Sequence, residues 1–223
     1  MRAATSSRSW LLIAFLLLAV PAHAAGPLKR SFSFDEKSRD ALLIVEVVPQ
    51  KGFEHWSLAL NEYSLESNEF KGSAFKGFSM LQHVDGQKIS PRFFAGVVKR
   101  AGTHIVYALN TQGLWGACFD KGAQAFTFEP GKVYYLGTVD PNEGLMRIGK
   151  ELPKSARVPY FVYGMRISYT APVKQKGWEK DVSAFIAENL PKIKAPLLAA
   201  EGVEVSFKPG TAPAGNPVCR ANN

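Results

Sequence analysis

The sequence predicts a mainly β protein, an antiparallel β-sandwich of Ig-like or barrel-like form with one C-terminal α-helix. Three observations lead to this fold class. About ten short segments have strand patterns, turn residues separate them, and a single stretch has helical spacing. The 223 residues are enough for one domain with a sizeable apolar core.

The first 24 residues have the features of a secretory signal peptide in the expected order. Arg2 and Arg8 give a positive start, an apolar run spans residues 10–20, and Ala22-His23-Ala24 supplies the small residues of a cleavage site. The apolar run is about half the roughly 20 residues that a spanning helix needs. We therefore expect cleavage after residue 24, a periplasmic or secreted bacterial protein, and no transmembrane segment in the mature chain.

Strand patterns fill most of residues 25–223, which we interpret as a single β-rich domain. Residues 41–48 are nearly all apolar and β-branched, as in a strand that is buried on both faces. Residues 56–61 and 160–169 alternate apolar and polar side chains, as in strands with one buried face. Further strands are predicted at 78–84, 93–98, 104–109, 114–119, 125–128, 133–138 and 203–207.

One stretch, near residues 177–190, has the spacing of an amphipathic helix. Trp178, Val182, Phe185 and Ile186 fall on one helical face, and Pro191 follows them. We expect this helix to cover one end or edge of the sheet. Residues 140–157 are polar and lie between strands, which predicts a mobile loop.

The chain contains two cysteines, Cys118 and Cys219. In an oxidising compartment two thiols most simply form one disulfide. This bond would close a loop of about 100 residues and stabilise the fold by about 4–5 kcal/mol through chain entropy. It would also tether the tail at 210–223 to the β-rich domain.

The net charge is +8, and removal of Arg2 and Arg8 with the leader leaves +6. A positive charge of this size serves solubility alone or favours an anionic envelope glycan or lipid. Another envelope protein is the alternative partner. The basic residues are scattered along the chain instead of clustered, so no nucleic-acid partner is expected.

The sequence predicts no catalytic residue, no metal ligand and no cofactor. Residues 77–81 match the first half of the serine hydrolase motif G-x-S-x-G, but Leu81 replaces the second glycine, so we interpret Ser79 as a strand residue. His83 and Asp85 share one face of a strand, yet a zinc site needs at least three protein ligands.

The binding residues are unknown apart from one candidate, Trp115. It lies in Gly113-Leu114-Trp115-Gly116, beside a predicted hairpin loop. An exposed aromatic ring at such a place would bind a glycan or a peptide, whereas a buried ring would pack in the core.

A run of twelve residues, FTFEPGKVYYLG at 126–137, combines a Pro-Gly turn with an aromatic strand. It resembles a late hairpin in small exported bacterial envelope β-domains of unknown function. The likeness spans residues 100–140 and implies an Ig-like or similar sandwich in the cell envelope. This resemblance identifies no functional residue in this chain.

These observations predict a non-enzymatic, exported cell-envelope protein with a binding or structural role. A hydrolase of envelope polymers is the first alternative, and a concave cleft with two carboxylates would indicate it. An accessory subunit of a transport or secretion assembly is the second, and a long uncovered edge strand would indicate that role. A flat aromatic patch rimmed by Lys and Arg would favour the binding role.

Overall fold

The computed structural model describes residues 26–49, 56–71, 77–87, 92–111, 115–151 and 162–206. The predicted signal peptide and the tail with Cys219 lie outside the described residues. Within them strands predominate and most pairings are antiparallel, which confirms the mainly β prediction.

The described elements are fourteen strands, two α-helices and a short 3₁₀ helix at Pro172–Lys174. The strands are β1 (Ser33–Phe34), β2 (Ala41–Val47), β3 (Trp56–Ser64), β4 (Glu69–Phe70), β5 (Ser79–Gln82), β6 (Phe93–Val98), β7 (Gly102–Thr111), β8 (Trp115–Phe128), β9 (Val133–Asp140), β10 (Val162–Arg166), β11 (Ser168–Thr170), β12 (Lys192–Ile193), β13 (Leu197–Ala199) and β14 (Gly202–Val205). The α-helices are α1 (Asn142–Glu151) and α2 (Trp178–Asn189).

One curled, mixed sheet holds twelve of these strands, in the order β10-β8-β7-β3-β5-β6-β2-β9-β11. Three short strands lie off this path: β13 pairs with β9, β14 with β8 and β4 with β3. The other two strands, β1 and β12, form a small parallel sheet of their own. A two-sheet sandwich is not confirmed by this arrangement.

The two strands at the ends of this order, β10 and β11, follow each other directly in the chain. β10 pairs with β8 and β11 pairs with β9, and Ile167 is the one residue between β10 and β11. Residues 197–205 make a second crossing, because β13 pairs with β9 and β14 with β8. Each of these two segments therefore connects β8 to β9. We call the region between β8 and β9 the seam.

β2 is buried on both faces, as its apolar run predicts. Leu43 and Val45 belong to one apolar cluster, while Leu42 and Ile44 belong to a second cluster on the other face. α2 packs on this second cluster, and its bounds confirm the helix predicted near 177–190. Its predicted apolar face is present: Val182 and Phe185 are buried, and Trp178 and Ile186 are partly buried against the same cluster.

Three predictions about local structure are wrong. β3 is buried on both faces, because Ser57, Ala59 and Asn61, which the pattern places on the solvent face, are all buried. The strand lies inside the sheet, with β5 on one edge and β7 on the other. The two strands predicted at 114–119 and 125–128 are one strand, β8, which changes partner from β10 to β14 along its length.

The third wrong prediction is the loop at 140–157, because residues 142–151 form α1 and the protein has a second α-helix. Asp140 starts this helix: its Oδ1 accepts the backbone N–H of Asn142 at 2.9 Å and the Asn142 side-chain amide at 2.6 Å. Glu143 in the first turn and Lys150 in the last turn suit the helix dipole. The Asp140 cap and the charges near the two ends therefore stabilise α1 even though the segment has few apolar residues.

None of the helices in the described part of the chain is both long and apolar enough to span a membrane.

Candidate functional site

A cleft of about 500 Å³ opens at the seam, where α1 approaches β8 and the β10–β11 segment. Its lining is polar and charged except for one apolar wall. We call this site the seam cleft; its lining residues are Lys121, Glu143, Gly144, Arg166, Ile167 and Ser168.

Backbone pairing at the seam determines the position of Arg166 in this cleft. Arg166 lies opposite Gly122 of β8, and the next amide, that of Ile167, donates to the Gly122 carbonyl oxygen at 2.7 Å. Arg166 also forms an ion pair with Glu204 of β14, which pairs with β8 immediately beyond. The cation is thereby held where the two crossing segments approach each other.

Gly122 provides the space for this ion pair. A Cβ atom at residue 122 would lie 2.9 Å from Arg166 Cγ and 2.9 Å from Glu204 Oε1. Real Cβ atoms are not found that close to other heavy atoms, so a side chain here would push the pair away from β8. The glycine thus determines how Arg166 lies at the edge of the cleft.

α1 contributes its first turn to the cleft through Glu143 and Gly144. The start of a helix carries a partial positive charge, which adds to the charges of Lys121 and Arg166. Glu143 is the one carboxylate that lines the described part of the cleft, and it reduces the positive potential.

The remaining chemistry of the cleft suits a small anion. The Arg166 side chain is 65% exposed, so its guanidinium is open to a ligand despite its pairing. A guanidinium offers planar, paired donors that match a carboxylate or a phosphate. Ser168 is exposed and adds a hydroxyl group, whereas Ile167 is buried and forms the apolar wall.

A second cleft, of about 570 Å³, lies beside the β1–β12 pair. We call it the lysine cleft; its lining residues are Ser33, Phe34, Asp35, Ser38, Lys192 and Lys194. Among these residues the cations are both lysines, which bind anions as point charges without the paired donors of an arginine. The seam cleft is therefore the better candidate for specific recognition.

A partly buried polar cluster joins β2, β9 and the segment before α2. The Tyr135 hydroxyl lies 3.1 Å from Glu46 Oε2 and 2.7 Å from Gln175 Oε1. Thr138 donates to Glu46 Oε2 at 2.6 Å, and Arg92 lies 3.0 Å from Glu46 Oε1. Both oxygens of this carboxylate are thus occupied within the protein, so we interpret the cluster as structural.

Packing reinforces this tyrosine cluster. Tyr135 is 1% exposed and its ring stacks on Trp178 of α2, with centroids 5.1 Å apart. Burial raises the pKa of Tyr135 far above its ordinary value near 10, and the adjacent Glu46 carboxylate adds to the rise. The cluster therefore anchors α2 to the sheet through a phenol that stays protonated.

His104 is another buried ionisable group whose pKa is shifted. It is 1% exposed, and its Nδ1 lies 3.2 Å from the carbonyl oxygen of Gly102. Burial lowers the pKa of His104, although that hydrogen bond and the charge of Glu62 act in the opposite direction. Neither described cleft is lined by this histidine, so it belongs to the core.

Within the described part of the chain, the residues singled out by the sequence do not come together in a site. Ser79 lies in strand β5, as predicted, and the structure shows that it is buried. His83 packs its ring against Phe94, with centroids 4.8 Å apart, while Asp85 is exposed. No group of three or more His, Cys, Asp or Glu side chains that could hold a metal ion occurs within the described ranges.

Trp115 and the cysteines remain predictions. The backbone of Trp115 begins β8, opposite Thr111, but its side chain lies outside what the structure describes. Cys118 is buried in β8, and its predicted partner Cys219 lies outside the described residues. The disulfide and the aromatic site are thus still to be tested.

Sequence reasoning missed the seam cleft, although it placed Arg166 on the polar face of an alternating strand. The observed alternation agrees: Arg166 and Ser168 are exposed around the buried Ile167. What the pattern could not show is the partner, because Glu204 is 38 residues away in the chain. Neither residue belongs to a motif.

No family model matches the chain, and no curated protein or solved structure is significantly similar to it.

Proposed function

We propose that this is an exported cell-envelope protein that binds a small ligand through a carboxylate or phosphate group. The observation that carries the proposal is the seam cleft, where Lys121, Arg166 and the start of α1 line one opening. Its volume of about 500 Å³ falls in the range of small-molecule sites. The leader and the positive charge of the mature chain are consistent with a ligand met outside the cytoplasm.

The binding role has more support than the two alternatives. A glycoside hydrolase of the usual kind needs two carboxylates, and one carboxylate, Glu143, lines the described part of the seam cleft. Recruitment by strand addition favours a long open edge, whereas the strands at the seam, β10, β11, β13 and β14, have only three to five residues. A barrel-like form of the curled sheet, closed at the seam, would hold the cleft in place.

The experiment is a titration of the mature protein with inorganic phosphate and, separately, with acetate. Amide chemical shifts of Gly144 and Ser168 report on the cleft. We expect saturable shifts there, and we expect Lys121→Gln to weaken binding about fivefold through loss of one exposed charge interaction. Lys99→Gln is the matched control, because Lys99 pairs with Asp40 and lines neither cleft.

Two results would contradict the proposal. One is a titration without saturable shifts at the cleft amides for either anion. The other is an equal loss of affinity in both lysine variants, since that would indicate a general charge effect. Export is checked separately by the intact mass of the protein released by cells, which should correspond to loss of residues 1–24.

A further inference from the structure

We infer that Glu204 is an internal competitor for the anion at the seam cleft, so that a ligand binds by displacing Glu204 from Arg166. The inference rests on the proposed function, because it concerns the same cleft. It assigns a role to Glu204, which does not itself line the cleft.

The geometry places Glu204 in direct competition with a ligand for the Arg166 guanidinium. Arg166 belongs to the cleft lining, and its guanidinium is paired with the Glu204 carboxylate across Gly122. Glu204 reaches this position from β14, a separate segment whose backbone pairs with β8. In the ligand-free protein the cation is thus occupied by a carboxylate, the same chemical group as one proposed ligand.

The exposure of the pair makes displacement feasible. The side chains of Arg166 and Glu204 are 65% and 51% exposed, so water stabilises both charges when they separate. Exposed ion pairs are weak, which limits the effect of the competitor to a few fold in affinity. Glu204 would therefore lower the affinity of the cleft for any anion by this modest factor.

The test compares two variants that remove the same charge from neighbouring positions. Glu204→Gln keeps the shape of the side chain and removes the competing carboxylate. Glu201→Gln removes an exposed carboxylate that forms no ion pair with another described residue, and it controls for net charge. Each full-length mature protein is titrated with inorganic phosphate, with the amides of Gly144 and Ser168 as probes, after circular dichroism confirms an unchanged fold.

We expect Glu204→Gln to bind phosphate about two- to fivefold more tightly than the wild type, and Glu201→Gln to remain close to it. Equal affinity in the wild type and Glu204→Gln, or equal tightening in both variants, would overturn the inference and leave the proposed function intact. Absence of saturable shifts in all three proteins would overturn the proposed function itself.

Discussion

Replacing Tyr135 by phenylalanine removes one hydroxyl from the partly buried cluster that holds α2 on the sheet. The hydroxyl lies within hydrogen-bond distance of the Glu46 carboxylate and the Gln175 amide oxygen. A hydrogen bond to a charged group contributes about 1.5–3 kcal/mol and a neutral one about 0.5–1.5 kcal/mol. Since the hydroxyl has one proton for two acceptors, we expect a loss of about 2 kcal/mol.

The assay is urea unfolding followed by tryptophan fluorescence, supported by calorimetry. For a mature chain of this size, 2 kcal/mol corresponds to a fall in melting temperature of about 4–8 °C. Tyr134→Phe is the matched control on the same strand, because the Tyr134 hydroxyl accepts a single bond from the backbone N–H of exposed Glu129 at 3.1 Å. A loss in Tyr135→Phe no greater than in Tyr134→Phe would refute this reasoning.

The same substitution changes the response to alkali. The pKa of Tyr135 is raised in the folded state, so the folded protein keeps this proton where the unfolded chain releases it. The resulting stabilisation is complete below about pH 10 and is lost as the pH rises above it. Tyr135→Phe should therefore lose less stability than the wild type between neutral and strongly alkaline pH.

Three further predictions concern the core and the cysteines. Because burial lowers the pKa of His104 below its ordinary 6.5, its contribution to stability is complete above that pH and is lost on acidification; urea midpoints from pH 8 to 5 should fall less in His104→Gln, and parallel profiles would contradict this. In Gly96→Ala the new Cβ would lie 2.2 Å from the Met80 carbonyl oxygen, so calorimetry should show destabilisation of about 3 kcal/mol, and a near-neutral effect would refute the packing described here. Thiol titration of the unreduced, denatured secreted protein should find no free thiol if Cys118 and Cys219 are paired, whereas two free thiols would contradict the disulfide.

Local sequence patterns were sufficient to predict an element where its buried face depends on the residues of one segment. The unbroken apolar run of β2 and the four-residue helical spacing around Val182 each predict the observed element and its buried face. The same local patterns failed for α1, where caps and charges start a helix that apolar spacing does not indicate. They also failed at Gly122, where a strand continues through a residue that usually signals a turn.

The seam cleft could not be predicted because long-range pairing creates it. Lys121, Glu143 and Arg166 come from three elements that meet only when the sheet curls and its ends are joined. Each residue has an ordinary local context, and nothing in single-strand alternation specifies a partner strand. The alternation of side chains predicts that Arg166 lies on the exposed face of its strand. Which residues of other strands lie beside it depends on the sheet topology.

The most direct test of the proposed function is a crystal structure of the mature protein with selenate, a tetrahedral oxyanion that anomalous scattering locates. We predict a selenate ion in the seam cleft, within hydrogen-bond distance of the Arg166 guanidinium and the Lys121 ammonium group. Glu204 should then no longer contact Arg166. Selenate bound at the lysine cleft or elsewhere while the seam cleft stays without an ion would contradict the proposal.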